Sequence, residues 1–181
     1  MTLTAEDVET SSRMAGEVER WHVWPTLRRE TVGHHTWNVL RIYMEIWGPP
    51  EPEVFTWIMV HDMPEIATGD VPFGGKGYMT PEQRSSLEDR EYSAVRDQLP
   101  SLPDLVHSAF ALPENLRRRA KVCDLIDMLE FASVELAMGN TLAGPIHSRI
   151  SHGLGQYTVR MAPGERSCVQ SYLDRTTGVL S

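Results

Sequence analysis

The stretch Val60-His61-Asp62-Met63-Pro64-Glu65-Ile66-Ala67-Thr68-Gly69-Asp70-Val71-Pro72 puts an imidazole beside a carboxylate at the end of an apolar run. A second carboxylate follows at Glu65 and a third at Asp70. Buried charge is costly unless it is paired or bound to metal. Neutral imidazole nitrogen and carboxylate oxygen are both good ligands for divalent cations. A lone His-Asp pair is ordinarily a hydrogen-bonded pair or a cap, so a metal site needs support from elsewhere in the chain.

The elements that position these residues read as helices throughout. Thr4 and Asp7 resemble a cap with an acidic third position, which predicts a helix to about Val18. Arg20-Trp21-His22-Val23-Trp24-Pro25 breaks that pattern, because the residue before a proline avoids the helical region. A second helix opens at Thr31-Val32-Gly33-His34-His35, with Val39, Ile42, Tyr43 and Ile46 at core spacing, and stops at Gly48-Pro49-Pro50. The next is predicted to run unbroken from Glu51 to Ile66 and to carry His61 and Asp62 near its end. Gly69 to Gly77 is a glycine-dense loop that lets the backbone come close to a ligand, or is a plain connector. Thr80-Pro81-Glu82 caps a charged, solvated helix to about Leu99. Pro113-Glu114 opens a long helix to Gly139-Asn140, in which Val122, Leu125, Ile126 and Leu129 form a core stripe with Asp124 and Asp127 at its edge. One or two weaker helices complete residues 141–181. No segment alternates as a strand does, so the fold class is all-α.

Composition narrows the function. A chain of 181 residues is the length of one domain, long enough for a sizeable core. A formal charge of -8 argues against nonspecific duplex binding, so no nucleic-acid partner is expected. It leaves room for a small anionic substrate held by local cations or a metal. The two cysteines, Cys123 and Cys168, form no CxxC and no disulfide framework, which fits a reducing cytoplasm. The polar start, Thr4-Ala5-Glu6-Asp7, is not a signal peptide, and no apolar run reaches the roughly 20 residues that span a bilayer.

Four chain-distant positions then stand out: a histidine on the second helix (His35, with His34 beside it), the His61-Asp62 pair, and Asp124. Facing helices of a bundle often assemble metal sites in the core. Together these residues offer two imidazoles and two carboxylates to one cation. The order His, His-Asp, Asp resembles that of the HD-domain phosphohydrolases, and most closely the 5′-deoxynucleotidases and the related phage dATP triphosphohydrolases. The matching text is Arg20-Trp21, Glu30 to His35, His61-Asp62-Met63-Pro64-Glu65-Ile66-Ala67-Thr68-Gly69-Asp70-Val71-Pro72, Lys76, Glu88 to Val95, and Lys121 to Asp124. It covers roughly residues 15 to 140. His34 departs from the pattern, since family members usually carry an acidic residue there; register favours His35 as the ligand.

The resemblance implies an HD-domain helical bundle with His35, His61, Asp62 and Asp124 as ligands of a divalent metal, with Co, Mn, Zn, Fe or Mg all open. By the same resemblance Glu65 positions or deprotonates the attacking water, and Asp70 assists. Arg20 and Lys76 are the implied phosphate clamps; Arg suits bidentate contact and Lys a point charge. Trp21 is implied to pack against the sugar and penalise a 2′-hydroxyl, and Val23 to contact the base. The plain alternative for Trp21 is a core tryptophan, and for Asp70 a turn residue. The expected activity is hydrolysis of a 2′-deoxynucleotide at the α-phosphate, foremost dATP to deoxyadenosine and triphosphate. The alternatives are a 5′-deoxynucleotidase acting on monophosphates, and a metal-stabilised nucleotide-binding protein without catalysis. The family also implies a homo-oligomer, dimer or hexamer, acting in the cytoplasm, that of the host if the chain is phage-encoded.

Overall fold

A computed structural model describes residues 12–69 and 75–180, except the side chains of 76, 77 and 177–180. The first described helix, α1, is short, Ser12–Ala15. It does not reach Val18, because the backbone there turns to pair with the entry to the next helix. Glu19 and Thr31 form an isolated antiparallel bridge, and Val32 N donates to the Val18 carbonyl at 2.9 Å. The proposed cap at Thr4 and Asp7 lies outside the described residues. Gly33 N donates to the Gly16 carbonyl at 3.0 Å, and a side chain at Gly33 would meet that oxygen at 3.1 Å. A glycine suits this close approach of two backbones.

Helix α2, Val32–Trp47, is capped by Thr31, whose hydroxyl accepts from His34 N at 3.3 Å. Gly48 ends it with φ 85°, a conformation that favours glycine. Its buried face is Val32, His35, Thr36, Val39, Ile42 and Tyr43. That register turns His35 into the core and leaves His34 exposed.

The expected continuous helix from Glu51 to Ile66 is corrected by the structure. Helix α3 is Pro52–Val60, residues 61–64 form turns, and α4 is only Glu65–Thr68. Pro64 lacks the N–H a continuing helix needs, and the chain closes instead with tighter bonds such as Met63 N to the Val60 carbonyl at 3.1 Å. After the 3₁₀ turn Gly75–Tyr78 comes α5, Pro81–Gln98, opened by a reciprocal capping box between Thr80 and Gln83. Its buried residue is Val95 alone, so most of its surface is solvated. Helix α6 is Pro103–Phe110. Val60, Val95 and Val106 pack together with Met63, Tyr92, Leu99 and Phe110, which seats the 61–64 turns against α5 and α6.

Helix α7, Glu114–Ala137, is the central element. It packs against α2 on one side and against α8, Gly144–Thr158, on another, while α9, Pro163–Leu180, closes over both α2 and α7. The main core draws Val39, Ile42, Ile58, Leu125, Ile126, Ile150, Val169 and Tyr172 into one cluster. Each such side chain contributes on the order of 1.5–3 kcal/mol by burial. Polar ties complete it. Tyr172 donates to Glu130 Oε1 at 2.6 Å and Arg41 donates to Glu130 Oε2 at 2.8 Å, joining α2, α7 and α9. Among the described residues no strand ladder occurs and no helix is long and apolar enough to cross a membrane. The all-α expectation is met.

Candidate metal centre

The site lies where α2, the 61–64 turns and α7 meet. His35 is fully buried, and its Nδ1 bonds the Asp127 carboxylate at 2.6 Å. That contact puts the ring proton on Nδ1 and leaves Nε2 facing Asp124 Oδ1 at 3.2 Å and Asp62 Oδ2 at 3.5 Å. His61 is arranged alike by a different device. Helix α3 stops at Val60, so carbonyls of its last turn need partners from outside the helix. The Ile58 carbonyl takes the His61 Nδ1–H at 2.9 Å. The Nε2 of His61 then lies 3.4 Å from Asp62 Oδ1, and the two imidazoles are 5.5 Å apart, centre to centre. Trp57, one turn earlier, stacks on His61 at 4.6 Å and fixes its plane.

Both Nε2 atoms are buried and have no hydrogen-bond partner. Ligand atoms of His35, His61 and Asp62 fall within 4.8 Å of one another, and Asp124 adjoins them through His35. Two lone pairs and two carboxylates converging in a buried place fit one divalent cation.

The electrostatics agree. Burial pushes the His61 imidazole down, and His35 and Lys121 add to this against the nearby carboxylates, so it stays neutral. Burial and Arg20 also oppose charge on His35, but Asp124, Asp127 and Asp62 outweigh them and hold it up at about 9. A cation at Nε2 displaces such a proton, which makes metal binding pH-dependent. Burial would raise Asp62, yet His61, Arg20 and His35 bring it down to about 2. Asp124 is likewise held well below the usual carboxylate range by Lys121 and His35 against its burial.

Cations border both carboxylates. Arg20 Nη1 donates to Asp62, and Lys121 Nζ donates to Asp124 from one turn earlier on α7. Glu65, after the Pro64 break, is half-buried and acts electrostatically on Arg20. Asp70 lies outside the described residues. The backbone of Lys76 belongs to the 3₁₀ turn, and its side chain is not described. Val23 is 54% exposed in the loop before Pro25.

Trp21 is buried, with φ 64°, a strained conformation for a bulky residue costing about 1–3 kcal/mol. Its ring stacks on Phe131 at 5.0 Å and 9°, and its Nε1–H donates to Glu30 Oε2 at 2.7 Å. The loop around it is pinned to α7 by Glu135, which accepts from Leu27 N at 2.7 Å, Arg28 N at 3.1 Å and Asn140 Nδ2 at 2.8 Å. A cleft of about 360 Å³ runs along this loop, lined by Arg20, Trp21, Trp24, Arg28 and Glu30 among others. A larger groove of about 500 Å³, at Leu129, Leu154, Arg166 and Leu173, touches none of the candidate ligands.

Sequence reasoning left Asp127, Lys121, Glu30 and Glu135 without roles. The spacing Lys121-x-x-Asp124-x-x-Asp127 on one helix carried a signal for two of them, since residues three apart are neighbours on a helix. Glu30 stood in the matching text without a role, and Glu135 acts across the chain and left no local mark.

No protein-family model matches the chain. Over 115 residues it is 28% identical to a dATP triphosphohydrolase of Salmonella phage PMBT28, a match spanning 56% of this chain and little more than half, 56%, of that protein. Over 140 residues it is 27% identical to a dATP triphosphohydrolase of Cyanophage S-2L, covering 73% of this chain and 74% of the relative. The Cyanophage S-2L HD phosphohydrolase DatZ, solved with dA and one catalytic Zn²⁺ ion, superposes with a TM-score of 0.73 at 19% identity, over 97% of this chain and 98% of that one. The chain thus has the fold of that HD phosphohydrolase, carries His, His-Asp and Asp residues along it in that order, and is similar in sequence to two phage dATP triphosphohydrolases.

Proposed function

We propose that this protein hydrolyses 2′-deoxynucleotides at the α-phosphate with one divalent metal, dATP foremost, releasing deoxyadenosine and triphosphate. The observation that carries the reading is the pair of buried imidazoles, His35 and His61, whose unpaired Nε2 atoms converge on Asp62 and Asp124. The names of the two phage relatives and the dA in the structural neighbour favour the deoxyadenosine triphosphate as substrate.

His35, His61, Asp62 and Asp124 would hold the metal, which when bound supplies Lewis acidity to water and to the phosphoryl group. Glu65 accepts the proton of the attacking water; a carboxylate in that role contributes typically 10²–10⁴-fold. Attack at the α-phosphorus breaks its bond to the sugar 5′-oxygen, and that oxygen leaves with a proton, for which Asp70 is the proposed donor. Arg20 and Lys76 are the proposed phosphate contacts, and Lys121 holds Asp124 in its ionised form. Trp21 is the proposed sugar contact: an indole face offers no partner to a 2′-hydroxyl, so a ribonucleotide loses a hydrogen bond on binding. Val23 is the proposed contact to the base. A reducing cytoplasm suits the two free cysteines, Cys123 and Cys168. Self-association into a dimer or hexamer belongs to the reading, and Trp37, Met44, Phe55 and Met59 are exposed apolar side chains available to a second copy.

The test is product analysis. Protein with Mn²⁺ or Co²⁺ is offered dATP, dAMP, dGTP and ATP separately, and products are resolved by ion-pair chromatography. Triphosphate and deoxyadenosine from dATP, with ATP untouched, is the expected result. Phosphate from dAMP with dATP inert would replace this reading by a 5′-deoxynucleotidase. No turnover with metal bound would leave a nucleotide-binding protein.

A further inference from the structure

Trp21 holds a backbone conformation that a bulky residue keeps only when its surroundings over-determine it. Trp21 lies in the main hydrophobic core, and three direct contacts hold it there. The ring stacks on Phe131, Trp24 N donates to the Trp21 carbonyl at 2.8 Å, and the indole N–H donates to Glu30. Glu30 does more than receive that bond. It is 2% exposed, its own carbonyl accepts from Arg20 N at 2.9 Å, and the Oε2 that takes the indole proton also lies 3.6 Å from Arg20 Nε. One residue thus engages both side chains of the Arg20-Trp21 pair and the backbone leading into it. On its other side a Glu30 carboxylate oxygen lies within 4.8 Å of ligand atoms of His35 and Asp127. Glu30 stands between the Trp21 loop and the shell of the metal site.

We infer that Glu30 is a positioning residue that locks Trp21 as a rigid wall, and that this lock sets the discrimination between 2′-deoxy and ribonucleotides. The inference rests on the hydrolase reading above. A 2′-hydroxyl is penalised by an indole only if the indole cannot step aside. With Glu30 in place the ring is held at its edge by the N–H bond and at its face by Phe131. Without it, Trp21 is free to relax toward an ordinary backbone conformation, and the pocket gives way to the extra hydroxyl.

The experiment compares kcat/KM for dATP and ATP in metal-loaded wild type, Glu30→Ala and Glu30→Gln. The dATP-to-ATP ratio falls about tenfold or more in Glu30→Ala, the effect of one lost hydrogen bond's worth of discrimination. Glu30→Gln keeps an amide oxygen to accept the indole proton and holds the ratio within about threefold. A general structural defect lowers both substrates alike; an unchanged ratio in Glu30→Ala overturns the inference. So does a Trp21→Ala/Glu30→Ala double variant whose ratio falls by the product of the single effects, because residues acting through one contact are not additive. A second readout needs no turnover. The Trp21 indole ¹⁵N–¹H resonance, assigned with Trp21→Phe, shifts and loses exchange protection in Glu30→Ala. An unmoved resonance removes Glu30 as the anchor of Trp21. If wild type hydrolyses no nucleotide, the hydrolase reading and the sugar discrimination fall together, and the indole resonance alone decides whether Glu30 holds Trp21.

Discussion

Two histidines present the same nitrogen to the same place by unlike means. His35 is oriented by a carboxylate, Asp127, 92 residues away, and His61 by a carbonyl, that of Ile58, three residues away. Outer partners of this kind typically tune metal affinity 10–100-fold. Asp127→Ala should therefore weaken Mn²⁺ or Zn²⁺ binding by about that factor in isothermal titration, with a weaker effect from Asp127→Asn, which keeps an acceptor oxygen. Affinity equal to wild type in Asp127→Ala would mean that His35 needs no such support. Glu65→Ala should retain metal and fold but lose about 10²-fold or more in kcat. Unchanged turnover would remove Glu65 from the mechanism. The candidate ligands stood out in the sequence because His-Asp beside an apolar run is an uncommon local pattern. Motif register favoured His35 over His34, and the helix that starts after the Thr31 cap buries His35 and leaves His34 exposed.

At the scale of elements, helix existence was readable from periodicity, and helix ends were readable where a cap or glycine marks them, as at Thr31, Gly48 and Thr80. The error fell between His61 and Glu65, where no glycine marks a stop but the missing N–H of Pro64 ends the ladder. That break has a use: it frees the Ile58 carbonyl for His61. Residues 21–30 show the opposite limit. Glu135 anchors this loop from α7 through backbone and side-chain donors 107 and 108 residues away, which no local pattern encodes. Glu135→Ala should cost about 3 kcal/mol in urea unfolding, since it strands several part-buried donors at once. Burial pushes the Glu135 carboxyl up, but the N–H groups of Leu27, Asn140 and Arg28 outweigh it and hold it below its ordinary value. Its folded pKa is thus lower than its unfolded one, about 4.3. Its stabilisation is full above the unfolded value and is lost as pH falls through the folded one. The stability gap between wild type and Glu135→Gln should be widest near neutral pH and narrow as pH falls below about 4. A gap that widens on acidification would contradict the assignment.

The whole molecule separates what folds it from what it binds. The apolar core around Ile126, Ile150 and Tyr172 and the ties at Glu130 involve none of the candidate ligands. A chelator should therefore abolish turnover yet leave a cooperatively folded chain, with Tm lower than in excess metal as mass action requires. Saturating metal at about 100 times its Kd adds about 2.7 kcal/mol. Loss of the cooperative transition on chelation would show that the metal is part of the fold itself.

The most direct test of the central claim is the fate of water oxygen. The metal-loaded protein is given dATP in ¹⁸O-water, and triphosphate and deoxyadenosine are weighed by mass spectrometry. Attack at the α-phosphorus predicts one ¹⁸O per triphosphate, unlabelled deoxyadenosine, and no products after chelation. Label in the deoxyadenosine 5′-hydroxyl, products other than these two, or turnover that survives chelation would contradict the account.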